Sequence, residues 1–262
     1  MKIARLLVGL SLVFLFIGSP LSAALRLEFH LEGETFRDGR STYSWKGRRV
    51  MFIDNTRVIS ETKDQTIVLD TVRGEMVLIY HSEKIFETAK LPFRYEDYAN
   101  EQKKKDLAVI TAFMPDNVEI TESPEITRIG AWQARKVHVE ALAPAAEVRY
   151  EMDLWLSSVP GVNFEVYDIF SRNLYAMELY ARAWAHRVIE LEGMAVREEK
   201  TREVSNVKMV TVSELISFEE VALPVEKLRP SEDYREVPFE LSRHFGYTGS
   251  PAATLEQASK SE

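Results

Sequence analysis

The chain has 262 residues, 33 of them basic and 41 acidic, for a formal net charge of −8, and it contains no cysteine. An acidic balance disfavours nucleic acid and anionic membrane surfaces as partners. The lack of cysteine excludes disulfides, thiol chemistry and cysteine-ligated metals. The length suits one domain with an ample apolar core, and there is neither an internal repeat of fixed period nor an extended low-complexity segment.

The first element is an export leader over residues 1–24. Lys2 and Arg5 precede an apolar run from Leu6 to Ile17, which Gly18, Ser19 and Pro20 break; Ser22-Ala23-Ala24 then offers small residues for a cut after Ala24. This three-part pattern is that of a secretory signal peptide. The run is shorter than the ~20 residues that a membrane span needs, so no stable membrane span is expected after cleavage. No cysteine follows the run, which argues against a lipid anchor. Removal of the leader takes two basic residues and brings the net charge to −10. A cysteine-free exported chain with no Asn-x-Ser/Thr sequon fits the periplasm of a Gram-negative bacterium.

Leu25, Leu27, Phe29 and Leu31 alternate with Arg26, Glu28 and His30, the period of a strand with one buried face. Asp38-Gly39 is a turn, and a hairpin is expected around Lys46-Gly47-Arg48. Residues 66–71, 76–81 and 84–88 form an antiparallel meander on the turns Arg73-Gly74-Glu75 and Ser82-Glu83. Tyr95, Tyr98, Leu107, Ile110 and Phe113 share one face of a helix expected over 95–113. Strands follow at 118–128, 131–141 and 147–156. Residues 163–192 carry the longest helical pattern, with Val166, Phe170, Leu174, Met177, Ala181, Trp184, Val188 and Leu191 as an apolar stripe. Asn163 is placed to cap its start. Strands at 194–204 and 207–219 come next; Met209, Thr211, Ser213 and Leu215 lie on one side of the second. Residues 246–262, rich in Ser, Ala, Gly and charge, read as a disordered tail. The order of elements predicts an α+β fold, a strongly curved antiparallel sheet with helices packed on its concave side. It occupies a single domain over 25–245.

The run Trp45-Lys46-Gly47-Arg48-Arg49-Val50, the strands from Asp70 to His81 with Lys84-Ile85-Phe86, and the C-terminal pattern Gly193-Met194-Ala195-Val196-Arg197, Val207-Lys208 and Leu223-Pro224 carry a resemblance. They resemble a bacterial exported family of unknown function similar in fold to the outer-membrane lipoprotein carrier. The resemblance implies an open half-barrel with helices as a lid over an apolar concavity, which in the carriers receives acyl chains. It supplies no catalytic motif.

The five histidines lie at no metal-ligand spacing. Asp116, Glu119, Glu122 and Glu125 form an acidic cluster without the glycine turn of a calcium loop. No nucleophile elbow or phosphate-binding loop is present. The expectation is therefore a non-enzymatic protein without a cofactor. The candidate ligand-binding residues are Phe170, Leu174, Met177, Ala181 and Trp184, which either pack as core or line an acyl-chain cavity beneath a movable lid. The partner is then an apolar ligand or a lipidated protein; the alternatives are a structural or interaction module of the envelope and a hydrolase whose site is assembled only in space.

Overall fold

The computed structural model describes residues 23–102, 104–105, 117–143, 148–177, 187–188 and 190–240. Twelve strands form one sheet in the order β12-β6-β5-β4-β3-β2-β1-β11-β10-β9-β8-β7. They are β1 (Ala23–Arg37), β2 (Arg40–Ile53), β3 (Arg57–Glu61), β4 (Gln65–Asp70), β5 (Glu75–Tyr80), β6 (Ile85–Lys90), β7 (Asn117–Ile129), β8 (Trp132–Ala143), β9 (Val148–Ser157), β10 (Met194–Val204), β11 (Val207–Ala222) and β12 (Arg235–Glu236). All neighbours are antiparallel except β12, which runs parallel to β6. The α-helix α1 (Phe164–Met177) lies between β9 and β10 in the chain.

Strand β1 joins the two halves of the sheet, pairing with β2 on one side and β11 on the other. Its alternation has the consequence the sequence predicts: Leu25, Leu27 and Phe29 are buried. The β1–β2 turn is Asp38-Gly39, with φ of 51° and 74°, a pair of left-handed residues that matches the twist of a tight hairpin. The hairpin expected around Gly47 is absent. Gly47 instead sits in mid-strand opposite Leu31, and β2 runs unbroken from Arg40 to Ile53. Two positions earlier, the indole of Trp45 lies across the β1 backbone at Gly33, where an added Cβ would come within 2.3 Å of the ring nitrogen.

The α+β expectation is not met. The molecule is mostly β, and its sheet ends in two edges, neither closed nor strongly curled, so there is no half-barrel with several helices on a concave side. The physical reason lies in where apolar surface falls. In β3 to β5 nearly every residue is buried, so these strands need cover on both faces. One face packs with α1, Phe93 and Tyr95 in a cluster that includes Met51, Val58, Leu69, Met76 and Leu78. The opposite face packs Phe52, Ile59, Val68, Val77 and Ile79 against Leu223, Leu228 and Tyr234 of the C-terminal strap. A sheet covered on both sides has no single interior around which to curl. The helix expected over 95–113 begins as a one-turn 3-10 segment at Tyr95–Asp97, with helical residues at 101–102 and 104–105. The rest of it lies outside the described residues, as do residues 1–22 of the leader and the tail over 246–262.

The β2–β3 turn is held by Asp54, whose side chain is 1% exposed. Its carboxylate accepts from the backbone N–H of Thr56 at 2.8 Å and of Arg57 at 2.7 Å, and from the Arg57 guanidinium at 2.8 and 3.1 Å. Burial pushes the Asp54 pKa up, but these hydrogen bonds and the Arg57 charge outweigh it and leave it below the usual carboxylate range. A depressed folded-state pKa contributes stability that is present above the unfolded value and lost as pH falls through the folded one. Breaking a fully buried ion pair costs roughly 3–5 kcal/mol, and Arg57 is partly solvated. Asp54→Ala is therefore expected to lose about 2–3 kcal/mol at neutral pH. Urea unfolding at pH 7 and again in acid checks this: the gap between variant and parent should narrow as Asp54 of the parent is protonated.

Candidate functional site

Helix α1 begins at a conventional cap, with the Asn163 side chain accepting from the Val166 N–H at 3.3 Å. The three- and four-residue spacing of its apolar residues then forces one side onto the sheet. Val166, Phe170 and Met177 are each 3% exposed and belong to the same cluster as the inward rows of β1 to β5. Leu174 is half-buried and packs against that cluster. Of the five candidate ligand-binding residues, Phe170, Leu174 and Met177 thus share one surface, while Ala181 and Trp184 lie outside the described residues. The same side of the sheet continues past α1 over β7, β8 and β9, where Val137, Val139, Met152 and Leu154 are buried with Val188.

The strands of this face and the helix that covers it are rich in methionine. Met51 (β2), Met76 (β5), Met152 (β9), Met194 (β10), Met209 (β11) and Met177 (α1) are all 7% exposed or less. Met51, Met76, Met177 and Met194 share one cluster, and register places Met152 and Met209 on the same side through their pairings with Lys200 and Thr35. The chain has eight methionines; the other two, Met1 and Met114, are outside the described residues. Nothing in the one-dimensional pattern places these six together, because they are scattered over five strands and a helix.

A polar seam crosses the middle of this face. Lys200 is 8% exposed and holds Glu198 at 3.0 Å. The Tyr175 hydroxyl of α1 donates to the same carboxylate at 3.4 Å, and the Lys200 ammonium lies 5.4 Å from the Tyr175 ring. Arg49 of β2 stands over the Phe29 ring at 4.4 Å and donates to the Ser213 hydroxyl at 3.1 Å. Tyr167 of α1 completes the seam. Burial pushes its hydroxyl pKa up, and Glu198 and Asp168 add to this against Arg49 and the Ser171 hydrogen bond. Burial likewise raises the Asp168 carboxyl, against the opposing charge of Arg172. Arg49 and Lys200 occupy inward positions of their strands, so the period-two rule that marks Leu27 as core also marks them as polar intrusions. That signal was available in the sequence, but it has meaning only once strand faces are known.

The opposite face carries an open groove of about 380 Å³ between the strap and β3 to β5, lined by Arg57, Asp70, Arg73, Glu75, Val225 and Arg229 among others. Its charges largely satisfy one another: Arg57 is engaged by Asp54, and Arg73 by Asp70 at 3.8 Å and Glu75 at 3.2 Å. His81 fastens the strap, with its ring nitrogens 3.0 Å from Thr66 Oγ1 and 3.0 Å from the Tyr234 hydroxyl.

His138 and Asp153 form a pair on the outward side of β8 and β9, with Nδ1 2.7 Å from the carboxylate. Lys136 and His138 hold the Asp153 pKa below its usual range despite the opposing effect of burial, the largest single influence. An oriented histidine is what a general base requires, yet its Nε2 makes no hydrogen bond to another described residue, and the pair lies on open sheet. Glu122 of the acidic cluster is engaged by Arg135. Among the described residues, no group of three or more metal-ligating side chains comes together, and no helix is long and apolar enough to cross a membrane. No family model matches the chain. No curated protein matches it significantly.

Replacing a buried Phe by Ala costs about 3–5 kcal/mol where the surroundings cannot collapse. Phe170→Ala is expected to fall in that range and Leu174→Ala clearly below it, since Leu174 keeps part of its surface in water. Equilibrium denaturation of the two variants checks the order.

Proposed function

We propose that the chain is an exported, non-enzymatic binding protein of the periplasm. It takes up an apolar ligand, the acyl chain of a lipid or of a lipidated protein, between α1 and the sheet. The observation that carries this reading is the gathering of six methionines on one face. Methionine is unbranched, has three rotatable bonds and a polarizable thioether, and packs against surfaces of varied shape. A core that must specify one packing favours Leu, Ile and Val instead.

The cover over this face suits a lid. A helix satisfies its backbone hydrogen bonds internally, so α1 can move off the sheet without breaking strand pairing. Of the candidate residues, Phe170, Leu174 and Met177 then exchange sheet contacts for contacts with ligand; Ala181 and Trp184 continue the same stripe in sequence. The leader pattern and the resemblance to exported lipoprotein carriers support the same compartment and ligand class.

Native mass spectrometry of the protein taken from the envelope of its host tests the reading. An adduct of acyl-lipid mass is expected. After delipidation, the protein should raise the fluorescence of N-phenyl-1-naphthylamine. A bare polypeptide mass together with no fluorescence response refutes the proposal.

A further inference from the structure

We infer that the apolar ligand carries an anionic head group and that Arg49 receives it, an inference that rests on the apolar-ligand reading above.

Arg49 is an anomaly of charge placement. It occupies an inward position of β2 between Gly47 and Met51, directly opposite Phe29, a member of the cluster that α1 covers. Its partners are neutral: the Ser213 hydroxyl at 3.1 Å and the Phe29 ring at 4.4 Å. Its Nε is buried and donates to no described residue, and no described carboxylate lies within ion-pair distance of it. Lys200, another inward cation on this face, behaves differently, since it has Glu198 at 3.0 Å. Glu198 is in turn shared with the Tyr175 hydroxyl. On the outward side, Arg26, Arg48, Arg149 and Arg197 all reach a carboxylate. In a chain of net charge −8, a partly buried guanidinium without a carboxylate is not explained by any shortage of acids.

The guanidinium is a rigid fork of donors that matches a carboxylate or phosphate with two parallel hydrogen bonds. Here the fork is flanked by Ser213 and lies near Tyr167, whose hydroxyl feels the Arg49 charge. Phe29 and Met51 lead from it into the methionine-lined face. A long-chain amphiphile with one anionic head fits this arrangement, with its head at Arg49 and its chain running toward Phe170.

Binding of three probes that share one chain tests the inference: oleate, oleoyl lysophosphatidate and oleyl alcohol. Displacement of N-phenyl-1-naphthylamine from the delipidated full chain reports each. A charge-assisted hydrogen bond predicts that one anion or both bind at least ~10-fold more tightly than the alcohol, and the tighter of the two identifies the head group. Arg49→Gln should abolish that preference, bringing anion affinity down to that of oleyl alcohol, whose retained binding reports that the variant is folded. Arg49→Lys should restore part of the preference. In the parent protein, raising salt from about 0.05 to 0.5 M should weaken anion binding and spare the alcohol. Equal affinity for anion and alcohol, a preference that survives in Arg49→Gln, or a preference indifferent to salt overturns the anion site while leaving the apolar-ligand reading standing. Failure of all three probes, oleyl alcohol included, overturns both.

Discussion

The pairing of β1 with β11 is the contact on which the rest of the molecule depends. Fifteen residues of β1 find partners from Ala23 opposite Ala222 to Arg37 opposite Val207. One meander, β2 to β6, hangs from one side of β1, and the second, β7 to β10, hangs from β11. Closing a contact between strands almost a whole chain apart costs loop entropy that only extensive pairing and burial can offset. Leu25, Leu27 and Phe29 supply the burial, and they form the centre of the surface that α1 covers. The join between the two halves is thus also the floor of the candidate site, and Arg49 stands directly on it, opposite Phe29.

The two covers of the sheet are attached in different ways. The C-terminal strap is fastened by polar contacts: Lys84 to Asp233 at 2.7 Å, Lys227 to Glu61, His81 to Tyr234, and the backbone N–H of Arg235 and Val237 donating to the carbonyls of Lys84 and Phe86 at 3.0 and 2.9 Å. Helix α1 rests largely on apolar contact, with Asn173 accepting from the Phe93 N–H at 2.7 Å and Tyr175 reaching Glu198. Apolar contact is non-directional and is readily exchanged for contact with another apolar surface. Under the proposed binding role, α1 rather than the strap is the cover suited to move.

Much of the local structure was legible in the sequence. The inward row of β1, the cap at Asn163, the turn at Asp38-Gly39 and the sidedness of β11, with Met209 and Leu215 buried and Ile216 exposed, all follow from periodicity and turn chemistry. Gly47 misled because a glycine between two basic residues has the composition of a turn; its actual place is set by cross-strand pairing with Leu31, which is invisible to a local reading. The fold class misled for a related reason. Residues 66–80 read as short strands of a meander, but such a pattern does not say which element covers each face, and the second cover is a strap of irregular chain from Leu223 to Tyr234.

What the sequence determined by itself was therefore most of the strands, though not β3 or β12, the apolar stripe of α1 and the pattern of an export leader, because each is written in a period or a composition over a short window. Only the tertiary structure decided which side of the sheet each strand offers to α1. That choice gathers six methionines from six elements onto one face and leaves Arg49 among them without a carboxylate, whereas the neighbouring Lys200 keeps Glu198. The reason is physical: a side chain's face is set by strand register, and register is set by long-range pairing that no local window contains.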